Sequence, residues 1–282
     1  MELYDSEMPA QLYLELMKKC LTRYVFPERC RPLTRPSIHK HPFASVLYPL
    51  IGTTFASIGC KVCREVPFDP VSRAQGKDWP PEADTMVGLD RLNNLQHCVT
   101  EVLRKKVPGD LIETGVWRGG ASIFMRAILK AHGDRTRLVW LADSFEGLPR
   151  PDGRYAEDAG DNHWKFKDSL SVSLDQVRAN FERYGLLDDR VRFLRGWFKD
   201  TLPTAPIEEL AILRLDGDMY SSTMDALENL YSKLSAGGYA IVDDYGAIPG
   251  CKQAVDDFRV RHQITEPLER IDWTGAFWEK RR

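Results

Sequence analysis

Apolar residues recur at helical spacing near the start of the chain. Leu12, Leu16, Cys20 and Tyr24 share one face, with Leu14, Met17 and Leu21 beside them, and predict a helix over residues 12–26 that Pro27 ends. The proline-rich, basic stretch 27–42 reads as an irregular connector, an apolar run follows from Phe43 to Ile58, and FDPVSRAQGKDWPPEAD is again turn-rich. A second amphipathic pattern, Leu89, Leu92, Leu95 and Val99 continued by Val102 and Leu103, predicts a helix opening at an Asp84 or Thr85 N-cap.

Beyond residue 110 the period switches back and forth. Short apolar strands predicted at 110–113, 137–143, 191–195, 211–215 and 239–242 alternate with helical patterns at 121–130, 174–184, 222–234 and 251–261. Such alternation predicts an α/β fold with a doubly wound, mostly parallel sheet. Two more strands near 268–271 and 276–279, joined by Asp272-Trp273-Thr274-Gly275, read as a hairpin that closes the sheet with an antiparallel last strand. Residues 1–100 therefore read as a helical segment or lid over the ligand edge, and 101–282 as the sheet domain.

Composition narrows the class. The 282 residues carry a net charge of −2, with no charge run long enough for a nucleic-acid arm. No stretch of ~18 apolar residues predicts a membrane span. The opening MELYDSEMPAQ is acidic and lacks the apolar core of a secretory signal, so a cytoplasmic protein is expected. Six cysteines in a chain of this length are no disulfide framework. Cys60-Lys-Val-Cys63 has zinc or redox spacing, but no second such pair follows; Cys98 and Cys251 sit in apolar helical patterns and read as core thiols.

The candidate chemistry gathers at the carboxyl ends of the strands. LIETGVWRGG, residues 111–120, is a strand ending in Glu113, then a turn with Gly115, Gly119 and Gly120, then a helix. It lacks the Lys-Ser or Lys-Thr of a phosphate-cradling loop and the spacing of a dinucleotide fingerprint. An acid before a glycine turn suits a cationic amino-acid cofactor as well as a pyrophosphate. Asp143, ending the next strand, lies at about the interval of an acid that bonds ribose hydroxyls. Asp216, Asp243 and Asp244 end two strands expected to be neighbours. Three carboxylates without His or Cys are hard oxygen ligands suited to Mg²⁺, with helix capping as the plainer reading. His163 and Trp164 fall in the long polar span 146–170, where a solvated histidine and a loop tether compete with a pocket wall. No G-x-S-x-G elbow supports hydrolase chemistry.

The chain resembles the macrocin O-methyltransferase family, magnesium-dependent enzymes that methylate sugar hydroxyls in macrolide and aminocoumarin antibiotic biosynthesis. The resemblance rests on ADTMVGLDRL, GDLIETGVWRGGASIFMRAIL, ADSFEGLP, VRANFERYGLLDDRVRFL, GWFKDTLP, LRLDGDMYSSTMDAL, GGYAIVDDYGAIPGC and IDWTGAFW, most of residues 84–278, with a weaker match at LTRYVFPERC. It implies a class I methyltransferase Rossmann-like fold. It places S-adenosylmethionine on Glu113, Thr114, Gly115 and Val116, with Asp143 on the ribose, Ser144 and Phe145 at the adenosine, and Thr85 and Met86 closing over it. It places Mg²⁺ on Asp216, Asp243 and Asp244.

A carboxylate must then take the acceptor's proton, and Asp216 and Asp218 are both candidates. The expected partner is a small glycosylated acceptor bordered by residues 43–65 and 160–170, with no nucleic acid and no membrane, and the expected assembly is a homo-oligomer, with a dimer favoured. A catechol-like phenol is an alternative acceptor. A nicotinamide-dependent oxidoreductase would use Glu113, Gly115 and Asp143 for its dinucleotide but gives Asp216, Asp243 and Asp244 no work.

Overall fold

The structure is a computed structural model that describes residues 3–28, 30–32, 51, 55, 57–60 and 63–281. The connector 27–42 and the apolar run Phe43–Ile58 lie largely outside the described residues. Two short strands, β1 (Cys30–Pro32) and β2 (Cys63–Glu65), pair antiparallel to each other.

The main sheet is built from β3 (Asp110–Thr114), β4 (Val139–Asp143), β5 (Val191–Arg195), β6 (Leu210–Leu215), β7 (Leu234–Val242), β8 (Glu269–Arg270) and β9 (Ala276–Glu279). Their order is β5-β4-β3-β6-β7-β9-β8. The five strands β3 to β7 run parallel, and β9 is antiparallel to both β7 and β8. The last strand of the chain thus inserts between β7 and β8 instead of forming the sheet's margin. It carries Trp278, fully buried, into the core. The chain steps outward from β3 through β4 to β5 and then crosses back to β6. This reversal opens a crevice beyond the carboxyl ends of β3 and β6, the place where ligands bind in open α/β sheets.

Strand side chains alternate between two cores. Leu111, Leu141, Ile212 and Ile241 face one cluster, and Ile112, Ala142, Leu213 and Val242 face the other. On the first face lie α1 (Leu3–Leu21), α3 (Leu89–Arg104), α4 (Gly120–Ala131) and α5 (Leu174–Arg183), with the short α2 (Pro70–Ala74) preceding α3; on the second lie α6 (Tyr220–Leu230) and α7 (Pro249–Arg261). Helix α1 starts earlier than its pattern predicts and ends at Leu21, where the chain turns through Arg23 at φ 56°. Its Leu14, Met17 and Leu21 are buried in the same cluster as α3 and α4. Each such side chain contributes about 1.5–3 kcal/mol, so α1 shares the sheet's core with α3 and α4.

Helix α3 opens at Leu89 with Gly88 as N-cap, not at Asp84 or Thr85. Tertiary contact decides this: a Cβ on Gly88 would lie 2.3 Å from the Ala74 carbonyl oxygen, so only glycine fits. Asp84 instead accepts from Arg183 Nη2 at 2.9 Å and the Tyr184 hydroxyl at 2.7 Å. Cys98 and Cys251 are buried, as expected of core thiols. No helix among the described residues is long and apolar enough to cross a membrane.

Candidate active site

The glycine turn after β3 is shaped by two close backbone approaches. Gly115 has φ +88°, and a Cβ there would lie 1.6 Å from the Asp216 carbonyl oxygen at the end of β6. A Cβ on Gly120 would lie 2.4 Å from the Asp84 carbonyl oxygen. The turn therefore seats against β6 on one side and the N-terminal segment on the other. Gly115→Ala is expected to force the β3 and β6 ends apart, lowering the melting temperature and abolishing donor binding by calorimetry. Unchanged affinity for S-adenosylmethionine would show that the turn plays no part in holding it.

A cavity opens at this edge. Met86, Gly115, Val116, Asp143 and Ser144 line one part of its wall, and Asp216 and Asp218 another. Asp143 is held in place by the turns around it. Its Oδ2 accepts from the Val116 amide at 2.6 Å and its Oδ1 from the Phe145 amide at 2.7 Å. Burial raises its pKa, and these backbone donors oppose that rise. Trp197 and Phe198, after β5, and several residues between Gly147 and Arg154 line it as well.

The long polar span after β4 is fastened down at several points. Asp158, buried, accepts from the amides of Tyr220 and Ser221 at 2.9 and 3.0 Å, satisfying the first turn of α6. Arg154 forks onto Asp225 at 2.8 and 2.9 Å, and Trp117 Nε1 donates to the Ser169 carbonyl at 2.9 Å. His163 Nδ1 lies 2.8 Å from Asp161, and Arg150 stacks over Trp164 at 4.3 Å.

A charge cluster, buried at Arg214, Glu113 and Asp243, reaches this wall through Asp216. Arg214, on β6 and 3% exposed, pairs with Glu113 at 2.7 Å, Asp216 at 2.8 Å and Asp243. Arg91, on α3, pairs with Asp243 from the other side. Ser122 donates to Glu113. Ligand oxygens of Asp216, Asp243 and Asp244 all lie within 4.8 Å of one another. Burial, then mutual repulsion, pushes Asp216 up to about 6 and Asp218 up to about 7, and raises Asp244 well above the carboxylate range. Burial pushes Glu113 up to about 7 against the pull of Arg214. Acid crowding with hard oxygen donors fits a divalent cation such as Mg²⁺.

The family model described as Macrocin-O-methyltransferase (TylF) matches residues 10–280. The chain belongs to the macrocin O-methyltransferase family. It is 53% identical over 274 residues, 97% of this chain and 94% of the relative, to the 8-demethyl-8-(2,3-dimethoxy-alpha-L-rhamnosyl)-tetracenomycin-C 4'-O-methyltransferase of Streptomyces olivaceus. It is 45% identical over 273 residues, 96% of each chain, to the mycinamicin III 3''-O-methyltransferase of Micromonospora griseorubida. The solved structure of the O-methyltransferase NovP superposes with a TM-score of 0.82 at 45% identity, over 97% of this chain and all of that one (100%). The calicheamicin methyltransferase CalS11, at 20% identity and a TM-score of 0.54 over 68% of this chain and 79% of its own, shares the fold.

As a macrocin O-methyltransferase family member the chain is an S-adenosylmethionine-dependent O-methyltransferase, which replaces the oxidoreductase alternative. Of the predicted donor residues, Met86, Gly115, Val116, Asp143 and Ser144 meet at the cavity wall. Four others lie behind it. Thr85 Oγ1 accepts from the Val87 amide at 3.2 Å, and Thr114 Oγ1 donates to the Arg214 carbonyl at 3.3 Å. Phe145 packs against Phe193 at 6.4 Å, and Glu113, 2% exposed, faces Arg214 and Ser122. Cys60 and Cys63 are exposed, and neither belongs to a metal-ligating cluster among the described residues.

Hydrophobic periodicity does not mark Arg91, Arg214 or Asp272 as members of the site. Arg214 had a signal: a lone cation inside the apolar run AILRL must be buried and therefore paired. Arg91 had a weaker one, since it stands four residues before Leu95 on the apolar face of its helix.

Proposed function

We propose that this enzyme transfers the methyl group of S-adenosylmethionine to a hydroxyl of a deoxysugar on a glycosylated natural product, with Mg²⁺ held by Asp216, Asp243 and Asp244. The observation that carries this reading is that Asp143, of the donor edge, and Asp216 and Asp218, of the acid cluster, line one cavity. The relatives named for sugar positions of tetracenomycin and mycinamicin support the acceptor class.

Methyl transfer breaks the donor's S–CH₃ bond, returns that electron pair to sulfur and forms an O–CH₃ bond, so the acceptor oxygen must lie in line behind the methyl group. The glycine turn and Asp143 anchor the donor. Met86, at the cavity wall, lets the segment before residue 100 serve as a cover that excludes water. Mg²⁺, which Asp216, Asp243 and Asp244 would hold, would supply Lewis acidity to the acceptor hydroxyl. The hydroxyl proton goes to Asp218. This carboxyl lines the cavity and stands apart from the three proposed metal ligands, as a general base requires. Asp216 is the weaker candidate because Arg214 already holds its carboxylate at 2.8 Å.

The test is incubation with candidate glycosides and labelled donor, with mass analysis of the product, with and without chelator. Methylation of a sugar hydroxyl, lost in chelator and restored by Mg²⁺, is expected. Full turnover in chelator would return the three aspartates to structural roles, and transfer only to catechols would replace the acceptor class.

A further inference from the structure

Arg91 is the second guanidinium of the acid cluster, and its surroundings are unusual. Its side chain is 9% exposed. Nη1 bonds Oδ2 of Asp243, while Nε lies 3.1 Å from Oδ2 of Asp272. That second contact is an ion pair without hydrogen-bond geometry, and neither Nε nor this oxygen has a hydrogen-bond partner. Asp272 is itself buried, its side chain 4% exposed. Its other oxygen, Oδ1, is committed to the turn before β9, accepting from the amides of Thr274 and Gly275 at 2.9 and 2.7 Å. One oxygen of Asp272 thus builds the hairpin and the other faces Arg91.

The path of the arginine is set by two glycines. A Cβ on Gly76 would lie 2.7 Å from Arg91 Nη2, and one on Gly275 would lie 3.1 and 3.2 Å from Arg91 Cδ and Cγ. The side chain runs through a slot between the N-terminal segment and the terminal hairpin, and reaches the strand ends from there. Five carboxylates, Glu113, Asp216, Asp218, Asp243 and Asp244, gather where Arg214 and Arg91 supply two cations. Both guanidiniums stay protonated at any working pH. Asp243 is the carboxylate both of them hold.

We propose that Arg91 is a positioning residue: the resident counter-ion of Asp243, which competes with a divalent cation for that carboxylate, with Asp272 as the anion that retains the guanidinium when the cation binds. The proposal rests on the metal reading of the cluster. A cation ligated by Asp243 shares the electron pairs that Arg91 now faces, and its charge repels the guanidinium at close range. Without Asp272 the displaced arginine would be a buried, unpaired charge, which is strongly unfavourable. Arg91 therefore keeps the ligand set assembled in the metal-free protein and weakens its hold on the metal, and Asp272 limits that weakening.

The consequence has an unusual sign. Removing a residue that merely supports a ligand weakens metal binding, whereas removing a competitor strengthens it. Calorimetric titration of the full chain with Mg²⁺ alone, and with Mn²⁺ alone, separates the two. Arg91→Met keeps the length of the chain in its slot and removes the charge; it is expected to bind both ions about tenfold more tightly, the scale of one close charge partner. Asp272→Asn keeps the Oδ1 bonds to the turn and removes the anion; it is expected to bind them several-fold more weakly. Melting curves without metal check that each variant folds. Should Arg91→Met fail to fold, Asp272→Asn decides alone. Weaker binding by Arg91→Met, or unchanged affinity in Asp272→Asn, overturns the proposal while leaving the metal site in place. If the unmodified protein binds neither ion, the metal reading fails first and takes this proposal with it.

Discussion

Arg214→Met is expected to destabilise the protein by about 3–5 kcal/mol, the cost of breaking a buried ion pair by removing one partner. The methionine fills a similar volume between the two cores, so lost packing is small. What remains is Glu113, Asp216 and Asp243 without the guanidinium that contacts all three. Glu113 suffers most, since its side chain is 3% exposed and its remaining partner is the neutral Ser122. The loss depends on pH. An unpaired buried carboxylate has its folded-state pKa raised, so the folded state takes up protons that the unfolded state releases. Stability of the variant therefore falls as pH rises from the unfolded carboxylate range through the folded values, which already stand at about 7 for Glu113 and about 6 for Asp216 before the change. Urea denaturation at mildly acidic and mildly alkaline pH measures this. A loss below about 1 kcal/mol, the worth of a surface pair, or an equal loss at both pH values, would show that Arg214 is not the keystone of the cluster.

What the sequence discloses and what it hides follow from the range of the interactions. Strand ends at Glu113, Asp143, Asp216 and Asp243 are legible because apolar runs end there and polar residues begin. The glycine turn is legible because three glycines within six residues have few other uses. The approach of Asp216, Asp243 and Asp244 follows from the adjacency of β6 and β7, which alternating strands and helices predict. Arg91 escapes because its partner is remote: 152 residues separate it from Asp243. No spacing rule covers such a distance. The seat of β9 between β7 and β8 is hidden for the same reason, since a hairpin's pattern does not say which of its strands meets the sheet. Element ends are hidden where tertiary contacts set them. Gly88 starts α3 because Ala74 leaves no room for a side chain, and β7 begins at Leu234 where the periodicity continues a helix.

These contacts also decide which aspartate isolates the chemistry. Asp243 is the counter-ion of two arginines, so Asp243→Asn removes a proposed ligand and strips Arg91 and Arg214 of a shared anion at once. Among the described residues the Asp244 carboxylate forms no ion pair and accepts only a long bond, 3.4 Å, from the Asp218 amide. Burial and the charges of Asp218, Asp216 and Asp243 raise its pKa far above the ordinary value, so its ionised form opposes folding at neutral pH.

Asp244→Asn is therefore expected to raise the melting temperature of the metal-free protein or leave it unchanged, because a neutral amide of the same size relieves the repulsion. Turnover is expected to fall by about 100-fold or more, the scale on which an electrostatic contribution to the transition state is lost. Affinity for Mg²⁺ should fall with it, and affinity for S-adenosylmethionine should hold, since the proposed donor edge at Gly115, Val116 and Asp143 is untouched. Residues kept for the fold lose stability on replacement, and residues kept for chemistry against the fold's interest gain it. A lower melting temperature with turnover intact would mean that Asp244 caps its turn and the cluster holds no metal. A loss of both would tie it to the arginines after all, through a contact with their charges that the geometry of Asp243 does not require.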